Sequence, residues 1–429
     1  MNTPATRRLL IVDPIFRGSR LYYSAMAAAG AVARDWEVHI LTREEAETEH
    51  YFELFEGVPV TLHRKIPLPV GFWYGKIGSE AVESLIAALI SLHQELRFER
   101  ILAAGINELN REFTDACVAQ RRELRAAFGH TPLVAIEYDA RYLLRGLQAP
   151  RPRNPIERVR REVRVWIRRE RQRQNLRFLR RTFPGLRVGI LDERAFDRDL
   201  ATRIGRSFLV QLPDPPPRHV APALSKAAAN ETHDKTRVLL VGRQSKRKGI
   251  EDFARLLRVR PNLGERFQFV LCGSLVDESE HLRPQLEAAR KAGLLEWVDE
   301  YLPEAEIQRR YDETDYVLLP YARDFESSSG VMANAARAGT PIIATDHGCV
   351  GYRVQSFSMG YVYPSANIAR MADVLFPCLA PLNPIIRGFL PTVSTTLVII
   401  RSMSSSEFYW AREIFRDYDR TKYSINRAT

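Results

Sequence analysis

Two runs of short apolar segments, each alternating with longer amphipathic segments, constrain the fold of this chain most strongly. Strand-like segments recur from Arg8 to Ile190, and again from Arg237 to Thr345. Buried strands that alternate with helices form parallel sheets covered on both faces. Between the two runs lies Pro213-Asp-Pro-Pro-Pro217, which suits neither a helix nor a central strand. The pattern therefore predicts an α/β chain with two Rossmann-like, doubly wound domains that face a central cleft.

The predicted strands share a run of apolar and β-branched residues. They are Arg8–Val12, Glu37–Leu41, Val58–His63, Arg100–Ala104, Leu133–Ile136 and Leu186–Ile190 in the first run, and Arg237–Val241, Phe267–Leu271, Trp297–Glu300, Tyr316–Leu319 and Pro341–Thr345 in the second. We place a first domain at residues 1–212, a Pro-rich linker at 213–235 and a second domain at 236–405. Residues 406–429 are predicted to form a helix and tail that could return to the first domain.

Composition narrows the class of protein. Apolar residues make up 45% of the chain and charged residues 27%, as in soluble globular proteins. The four cysteines form no CxxC pair, which argues against a disulfide framework and against a zinc site. The N-terminus enters a strand without a long apolar segment, so no signal peptide is expected. The apolar runs Val374–Ile386 and Gly388–Ile400 are too short to span a bilayer, and a cytoplasmic protein is predicted.

Most of the positive charge lies in one segment. Arg151–Arg181 contains thirteen Arg and three Glu, which accounts for ten of the net +11. Apolar residues recur there at helical spacing and predict a basic amphipathic helix through about Leu179; they are Ile156, Val159, Val163, Trp166 and Ile167. One interpretation is a domain helix with its apolar stripe in the core. Another is peripheral binding to an anionic membrane at its inner face. Nucleic acid has the least support, because no nucleic-acid fold motif accompanies the arginines.

Two loops carry the candidate chemistry. The first, Gly242-Arg-Gln-Ser-Lys-Arg-Lys-Gly249, follows a predicted strand, and its Arg243 and Lys248 are cationic donors suited to a diphosphate. It lacks the spacing of a Walker A loop. The second, within Phe325–Thr345, sets Glu326 and three serines before a short Ala-rich helix, whose N-terminus would favour an anion such as phosphate. Solvated surface charge and an ordinary Ser-capped βαβ unit are the alternatives.

Taken together, these motifs resemble the retaining GT-B glycosyltransferases, and glycosyltransferase family 4 in particular. The resemblance is carried by VLLVGRQSKRKGIEDF (Val238–Phe253), FVLCGS (Phe269–Ser274), YDETDYVLLPY (Tyr311–Tyr321) and FESSSGVMANAARAGTPIIATDHG (Phe325–Gly348). It implies the GT-B fold, with the acceptor on the first domain and a nucleotide-sugar donor on the second. It also implies sugar transfer with retention to a glycan or lipid-linked acceptor, in cell-surface polysaccharide or glycolipid synthesis, without metal or cofactor.

The resemblance also assigns site residues. Its catalytic residues map to Glu326, Arg243 and Lys248, with the two cations on the donor diphosphate. The donor site as a whole maps to Gly242, Arg243, Lys248, Glu326, Ser328, Ser329, Gly330 and Asn334. Asn334 stands where the family has a second Glu, which implies weaker binding of the donor ribose. On the acceptor side the family often has a His, in place of which Glu137 and Asp139 stand here, and Gly18 represents its glycine-rich loop.

Two other functions stay open. A catalytically silent module that binds a nucleotide sugar or a membrane is favoured by Asn334 in place of Glu. A nucleotide-sugar epimerase on the same fold would act on the donor without an acceptor, and this distinguishes it from a transferase.

Overall fold

The structure, a computed structural model, describes residues 7–16, 19–44, 54–68, 78–105, 111–137, 154–194, 208–212, 234–300 and 302–376. These residues fall into two compact units, one up to residue 212 and one from residue 234. Each unit is built on a single parallel sheet with helices in the crossover connections.

The first unit contains a seven-stranded sheet of order β3-β2-β1-β4-β5-β6-β7. The strands are β1 (Arg8–Asp13), β2 (Glu37–Arg43), β3 (Thr61–Ile66), β4 (Arg100–Ala103), β5 (Leu133–Glu137), β6 (Leu186–Ile190) and β7 (Leu209–Gln211). The helices are α1 (Ser19–Val32), α2 (Ser79–Leu96), α3 (Arg111–Ala119), α4 (Arg121–Phe128) and α5 (Pro155–Thr182). β1 is an inner strand of this sheet, and its Leu9, Leu10 and Ile11 are all fully buried.

The second unit contains a six-stranded sheet of order β10-β9-β8-β11-β12-β13. The strands are β8 (Thr236–Val241), β9 (Phe267–Cys272), β10 (Leu295–Val298), β11 (Tyr316–Leu319), β12 (Ile342–Thr345) and β13 (Gly360–Tyr363). The helices are α6 (Ile250–Val259), α7 (Arg283–Lys291), α8 (Glu304–Asp312), α9 (Gly330–Arg337), α10 (Gly348–Ser356) and α11 (Ile368–Leu375). Phe253, Phe267 and Phe269 are fully buried in one core layer, and the Ala-rich α9 packs in the other.

The strand order of the second unit places two loops side by side. From β8 the chain proceeds outward through β9 and β10 on one side, and then returns to β11 on the other side. Such a reversal of strand order opens a crevice at the carboxyl ends of the two central strands. The loops after β8 and β11 are the two loops that carry the candidate chemistry.

The doubly wound α/β architecture predicted from the sequence is confirmed in both units. Two strands were not predicted, β7 and β13, each of which has four residues or fewer. Two others lie elsewhere than predicted. The ladder of β3 with β2 begins at Thr61 rather than Val58, and β10 begins at Leu295 rather than Trp297 because Leu295 pairs with Phe269.

Other sequence predictions concern parts of the chain outside the described residues. These are residues 213–233 of the linker predicted at 213–235, the segment from 377 to 405 and the helix predicted in 406–429, so the domain limits stay predictions. Over the ranges that the structure does describe, none of the helices combines the length and the apolar character that crossing a bilayer requires.

We expect acid to destabilise the first unit through His93. Its ring is buried on α2 and stacks on Phe128 with ring centres 4.7 Å apart. Burial, and then the charge of Arg97, lower the pKa of His93 below its ordinary value. The unfolded chain therefore takes up a proton before the folded protein does. The free energy of unfolding should fall as the pH drops below about 6.5, by at most about 1.4 kcal/mol per pH unit from this group.

Urea unfolding at a series of pH values tests this prediction. His93→Phe should flatten the fall in stability below about pH 6.5, because Phe has no proton to gain. The same substitution at an exposed position, His130→Phe, is the matched control for the change of residue type. Equal slopes in wild type and His93→Phe would show that this histidine does not couple folding to protonation.

Candidate functional site

Residues 242–249, called the basic loop below, leave the carboxyl end of β8. Gly242 turns the chain with φ of 93°, a left-handed conformation that favours glycine. Gln244 fixes this turn, since its Nε2 donates to the carbonyl oxygen of Gly242 at 2.6 Å. Ser245 then caps the short 3-10 turn Lys246–Lys248, where its Oγ accepts from the last N–H at 3.3 Å. The loop is thus held by its own hydrogen bonds.

Gly249 ends the basic loop and brings it against the neighbouring strand. Its φ is 78°, and a Cβ at this position would overlap the carbonyl oxygen of Pro320. Pro320 is the first residue after β11. The missing side chain of Gly249 therefore allows the basic loop to pack directly on the start of the next loop.

Residues 321–329, called the serine loop below, connect β11 to α9. The hydroxyl of Tyr321 hydrogen-bonds Ser329 Oγ at 2.8 Å, and its ring centre lies 4.1 Å from that of Phe325. Burial raises the pKa of Tyr321 to about 12, so this hydroxyl is neutral near pH 7. Ser329 Oγ also accepts from the N–H of Met332 at 3.3 Å, which makes Ser329 the N-cap of α9. The sequence prediction of a serine cap is confirmed.

Arg247 joins the two loops. Its carbonyl oxygen accepts from the N–H of Ala322 at 3.1 Å, and its Nη2 donates to Ser327 Oγ at 3.0 Å. Its guanidinium carbon lies 4.6 Å from the ring centre of Phe325, within cation–π range. Backbone, side-chain and ring contacts from one arginine therefore hold the serine loop against the basic loop.

Lys248 is the half-buried cation of the basic loop. Its Nζ lies 2.9 Å from the place that a Cβ on Gly242 would occupy, so the glycine leaves space for the ammonium group. Burial, and then the charge of Arg247, lower the pKa of Lys248 to about 8. The group is still mostly protonated at pH 7, and an anion beside it would favour the charged form further. Arg243, on the same loop, is exposed.

Glu326 is buried in the serine loop, where it is 6% exposed. Its carbonyl oxygen accepts from the N–H of Cys349 at 3.3 Å, in the first turn of α10. Gly348, with φ of 69°, makes this approach possible, since a Cβ there would stand 2.6 Å from the carbonyl oxygen of Phe325. A second glycine contact therefore fixes the backbone that carries Glu326.

The N-terminal end of α9 opens outward. Gly330 is exposed, and no atom lies within 4 Å of the position that a Cβ on it would take. Ser328 is half-buried just before the cap, and Asn334 is half-buried in the second turn. Backbone N–H groups at a helix N-terminus carry partial positive charge. This end of α9 therefore adds to the positive potential of Lys248 on the adjoining loop.

The structure places the predicted donor-side residues on two loops and one helix of the second unit. They are Gly242, Arg243 and Lys248 on the basic loop, Glu326, Ser328 and Ser329 on the serine loop, and Gly330 and Asn334 on α9. Contact between the loops follows from the geometry, and the role of each residue toward a ligand stays a prediction. Of the predicted acceptor-side residues, Glu137 ends β5 and is buried, while Gly18 and Asp139 lie outside the described residues.

Sequence reasoning missed two residues that shape this site. Arg247 was one of three adjacent cations, and nothing in the loop distinguished the one that joins the loops. Tyr321 is the last residue of one family motif, and the sequence prediction did not include its support of the helix cap. An aromatic directly after the strand-ending Pro320, eight residues before the capping serine, is the signal that could have identified it.

Residues 224–375 match the family model described as glycosyl transferases group 1. The matched residues include both the basic loop and the serine loop of the second unit. The amylovoran biosynthesis glycosyltransferase AmsK of Erwinia amylovora is 25% identical over 150 residues, which are 33% of this chain and 36% of AmsK. The chain therefore matches only about a third of the length of this curated relative.

Solved glycosyltransferase structures share the fold over almost the whole chain. Sucrose-phosphate synthase from Thermosynechococcus elongatus superposes with a TM-score of 0.61 at 15% identity, covering 99% of this chain and 100% of that one. HepE from Anabaena, in complex with UDP and glucose, gives 0.60 at 15% identity, with coverage of 97% and 99%. WaaG, a glycosyltransferase involved in lipopolysaccharide biosynthesis, gives 0.56 at 14% identity, with coverage of 96% and 98%. The chain therefore has the GT-B fold of these structures.

We expect Gly249→Ala to destabilise the protein more than a change at a glycine with the same backbone conformation but open surroundings. Gly293, with φ of 72° and no atom within 4 Å of an added Cβ, is the matched control. Both alanines cost about 1–2 kcal/mol for the left-handed backbone. Gly249→Ala also pushes the basic loop away from Pro320, and its free energy of unfolding should fall further. Equal losses in the two variants by urea unfolding would contradict the close approach.

Proposed function

We propose that the chain transfers a sugar from a nucleotide-diphosphate-sugar to a glycan or lipid-linked acceptor, with retention of configuration at the anomeric carbon. The observation that carries the proposal is the contact of the basic loop, which holds Lys248, with the serine loop, which leads into the open N-terminus of α9. A diphosphate needs both features, since it carries charge and presents several acceptor oxygens.

Lys248 and Arg243 would stabilise the leaving diphosphate. As the bond between the anomeric carbon and the phosphate oxygen breaks, negative charge builds up on that oxygen. Cations that are already in place stabilise this charge more in the transition state than in the ground state, and so raise the rate. We propose that these two side chains supply the charge, with no metal or cofactor in the step.

In the proposed reaction the acceptor hydroxyl attacks the anomeric carbon from the face that the diphosphate leaves. The new bond joins the acceptor oxygen to the anomeric carbon, and the leaving phosphate oxygen takes the hydroxyl proton. Glu326 would lie on the donor-sugar side, Ser328, Ser329 and Gly330 near the phosphates, and Asn334 near the ribose. On the acceptor side we propose Gly18, Glu137 and Asp139.

The relatives support the choice of substrates. Structures of HepE contain UDP, and one contains UDP-glucose. AmsK belongs to amylovoran biosynthesis, and WaaG to lipopolysaccharide biosynthesis. We propose the same kind of role here, in cell-surface polysaccharide or glycolipid synthesis, by a cytoplasmic protein that is peripheral at the inner face of the membrane.

A panel of UDP- and GDP-sugars tests the proposal. Each is scored by thermal shift and by slow hydrolysis, with wild type and Lys248→Ala compared throughout. Stabilisation and turnover with one donor, both lost in Lys248→Ala, are the expected result. If no nucleotide sugar binds, the proposed function is wrong.

The position of Asn334 favours a second candidate, a catalytically silent module that binds a nucleotide sugar. The family that the chain resembles has a carboxylate there, and Asn offers an uncharged acceptor instead. Donor binding without any hydrolysis or transfer, across the whole panel and with glycan acceptors added, would decide for this second candidate.

We expect the affinity for the donor to fall at alkaline pH because Lys248 loses its proton. Its pKa of about 8 in the free protein means that fewer molecules carry the ammonium group as the pH rises above 8. The dissociation constant should rise up to about tenfold per pH unit above that value. Lys248→Arg, which stays charged, should bind with little change over the same range, as measured by calorimetry. A wild-type affinity that does not vary with pH would remove Lys248 from the donor site.

We expect Asn334→Glu to strengthen donor binding. Hydrogen bonds to charged groups contribute about 1 kcal/mol more than neutral ones, which corresponds to about fivefold in the dissociation constant. Asn334→Ala is the comparison and should weaken binding. If Asn334→Glu leaves the affinity for the donor unchanged, the residue does not contact the ribose.

A further inference from the structure

The N-terminal part of α5 carries an apolar stripe that faces solvent. Ile156 is 63% exposed, Val159 61%, Val163 47% and Trp166 65%. These four residues follow one another at intervals of three, four and three positions, which places them on one side of a helix. Such a stripe is normally buried against a domain. The stripe of α5, defined by these four residues, therefore has no cover among the parts of the chain that the structure describes.

The domain core lies on the other side of the same helix. Leu176, Leu179 and Thr182 are buried, and they attach the C-terminal part of α5 to its unit. At 100° per residue, the centre of this buried face lies roughly 180° from the centre of the stripe. The four residues of the stripe therefore do not pack in the core as the first interpretation expects, because the core is reached by the opposite face; Ile167, the fifth residue of the predicted stripe, is half-buried.

Positive charge borders the stripe. Arg160, Arg164 and Arg171 are exposed and follow along one edge of it at helical spacing. The segment 151–181 has thirteen Arg against three Glu. A long arginine side chain can bury its stem along an apolar surface while its guanidinium group reaches a phosphate. An occupant of this surface must therefore be anionic and also apolar.

An anionic lipid bilayer meets both requirements. Its phosphate groups match the arginines, and its acyl boundary accepts valine, isoleucine and the indole ring of Trp166. A second copy of α5 would bring two strongly basic segments together, which is unfavourable. A nucleic acid would neutralise the arginines but leave the aliphatic stripe in water.

We propose that the exposed face of α5, formed by the stripe and its arginine border, docks on an anionic phospholipid surface. The helix lies in the plane of the headgroups, with Trp166 at their level. Since the docking face belongs to the first unit and the donor residues to the second, this proposal does not rest on the proposed transferase activity.

Vesicle flotation of the full chain, without any nucleotide sugar, tests the proposal. Phosphatidylcholine vesicles are compared with phosphatidylcholine–phosphatidylglycerol vesicles at equal total lipid, in low and in high salt. We expect binding to the phosphatidylglycerol vesicles only, weakened by roughly tenfold or more in high salt because the attraction is screened. Equal binding to both kinds of vesicle, or to neither, would overturn the proposal.

Two variants separate the apolar from the charged contribution. The triple change Ile156→Ser, Val159→Ser and Trp166→Ser removes three of the four residues of the stripe at constant charge. The triple change Arg160→Gln, Arg164→Gln and Arg171→Gln lowers the charge and keeps the stripe. Each should lower binding by roughly tenfold. The control, Val259→Ser, removes an exposed valine of the second unit and should bind as wild type does. Wild-type binding by the stripe variant would overturn the proposal.

Trp166 provides a local signal. Its fluorescence should shift to the blue when phosphatidylglycerol vesicles are added, and the shift should be absent in Trp166→Phe. Sedimentation of the lipid-free protein tests whether a second copy of the chain covers the stripe instead. A wild-type dimer that becomes a monomer in the stripe variant would assign the stripe to this second copy and overturn the proposal. Lys248→Ala should float as wild type does, so that failure of the proposed function leaves this assay unaffected.

Discussion

The contact of Gly249 with the carbonyl of Pro320 is the constraint on which the candidate site depends. It lets the end of the basic loop lie on the first residue after β11, where any side chain would separate the two. Arg247 then reaches Ser327 and the ring of Phe325, and Ser329 caps α9. Without this approach, the Lys248 ammonium group and the helix N-terminus would sit on unrelated loops.

The electrostatics of this site favour the binding of an anion. Lys248 is partly removed from water and near Arg247, so its charged form is less stable in the free protein than in solution. The N-terminus of α9 adds partial positive charge on the adjoining loop. In the proposed reaction, the negative charge of a diphosphate would favour the charged form of Lys248, and the growing charge of a leaving diphosphate would favour it further. Under this proposal, donor binding and catalysis depend on the same few groups.

Much of the fold could be predicted from the sequence, because fully buried strands have a clear apolar signature. The edge strands β7 and β13 are only partly buried and lack this signature, so they are recognisable only from their pairing with β6 and β12. Of the site, the serine cap followed from residue type. The role of Arg247 did not, since it depends on a contact with residues 80 positions further along the chain. The stripe of α5 shows the same limit, because periodicity defines a face but not what covers it.

The central claim is that a nucleoside diphosphate binds between the basic loop and the N-terminus of α9. A crystal structure of the protein with UDP or GDP tests it most directly. The account predicts the terminal phosphate within hydrogen-bond distance of Lys248 Nζ and of backbone N–H groups at the start of α9. Phosphates bound against any other surface, or touching neither of these two elements, would contradict it.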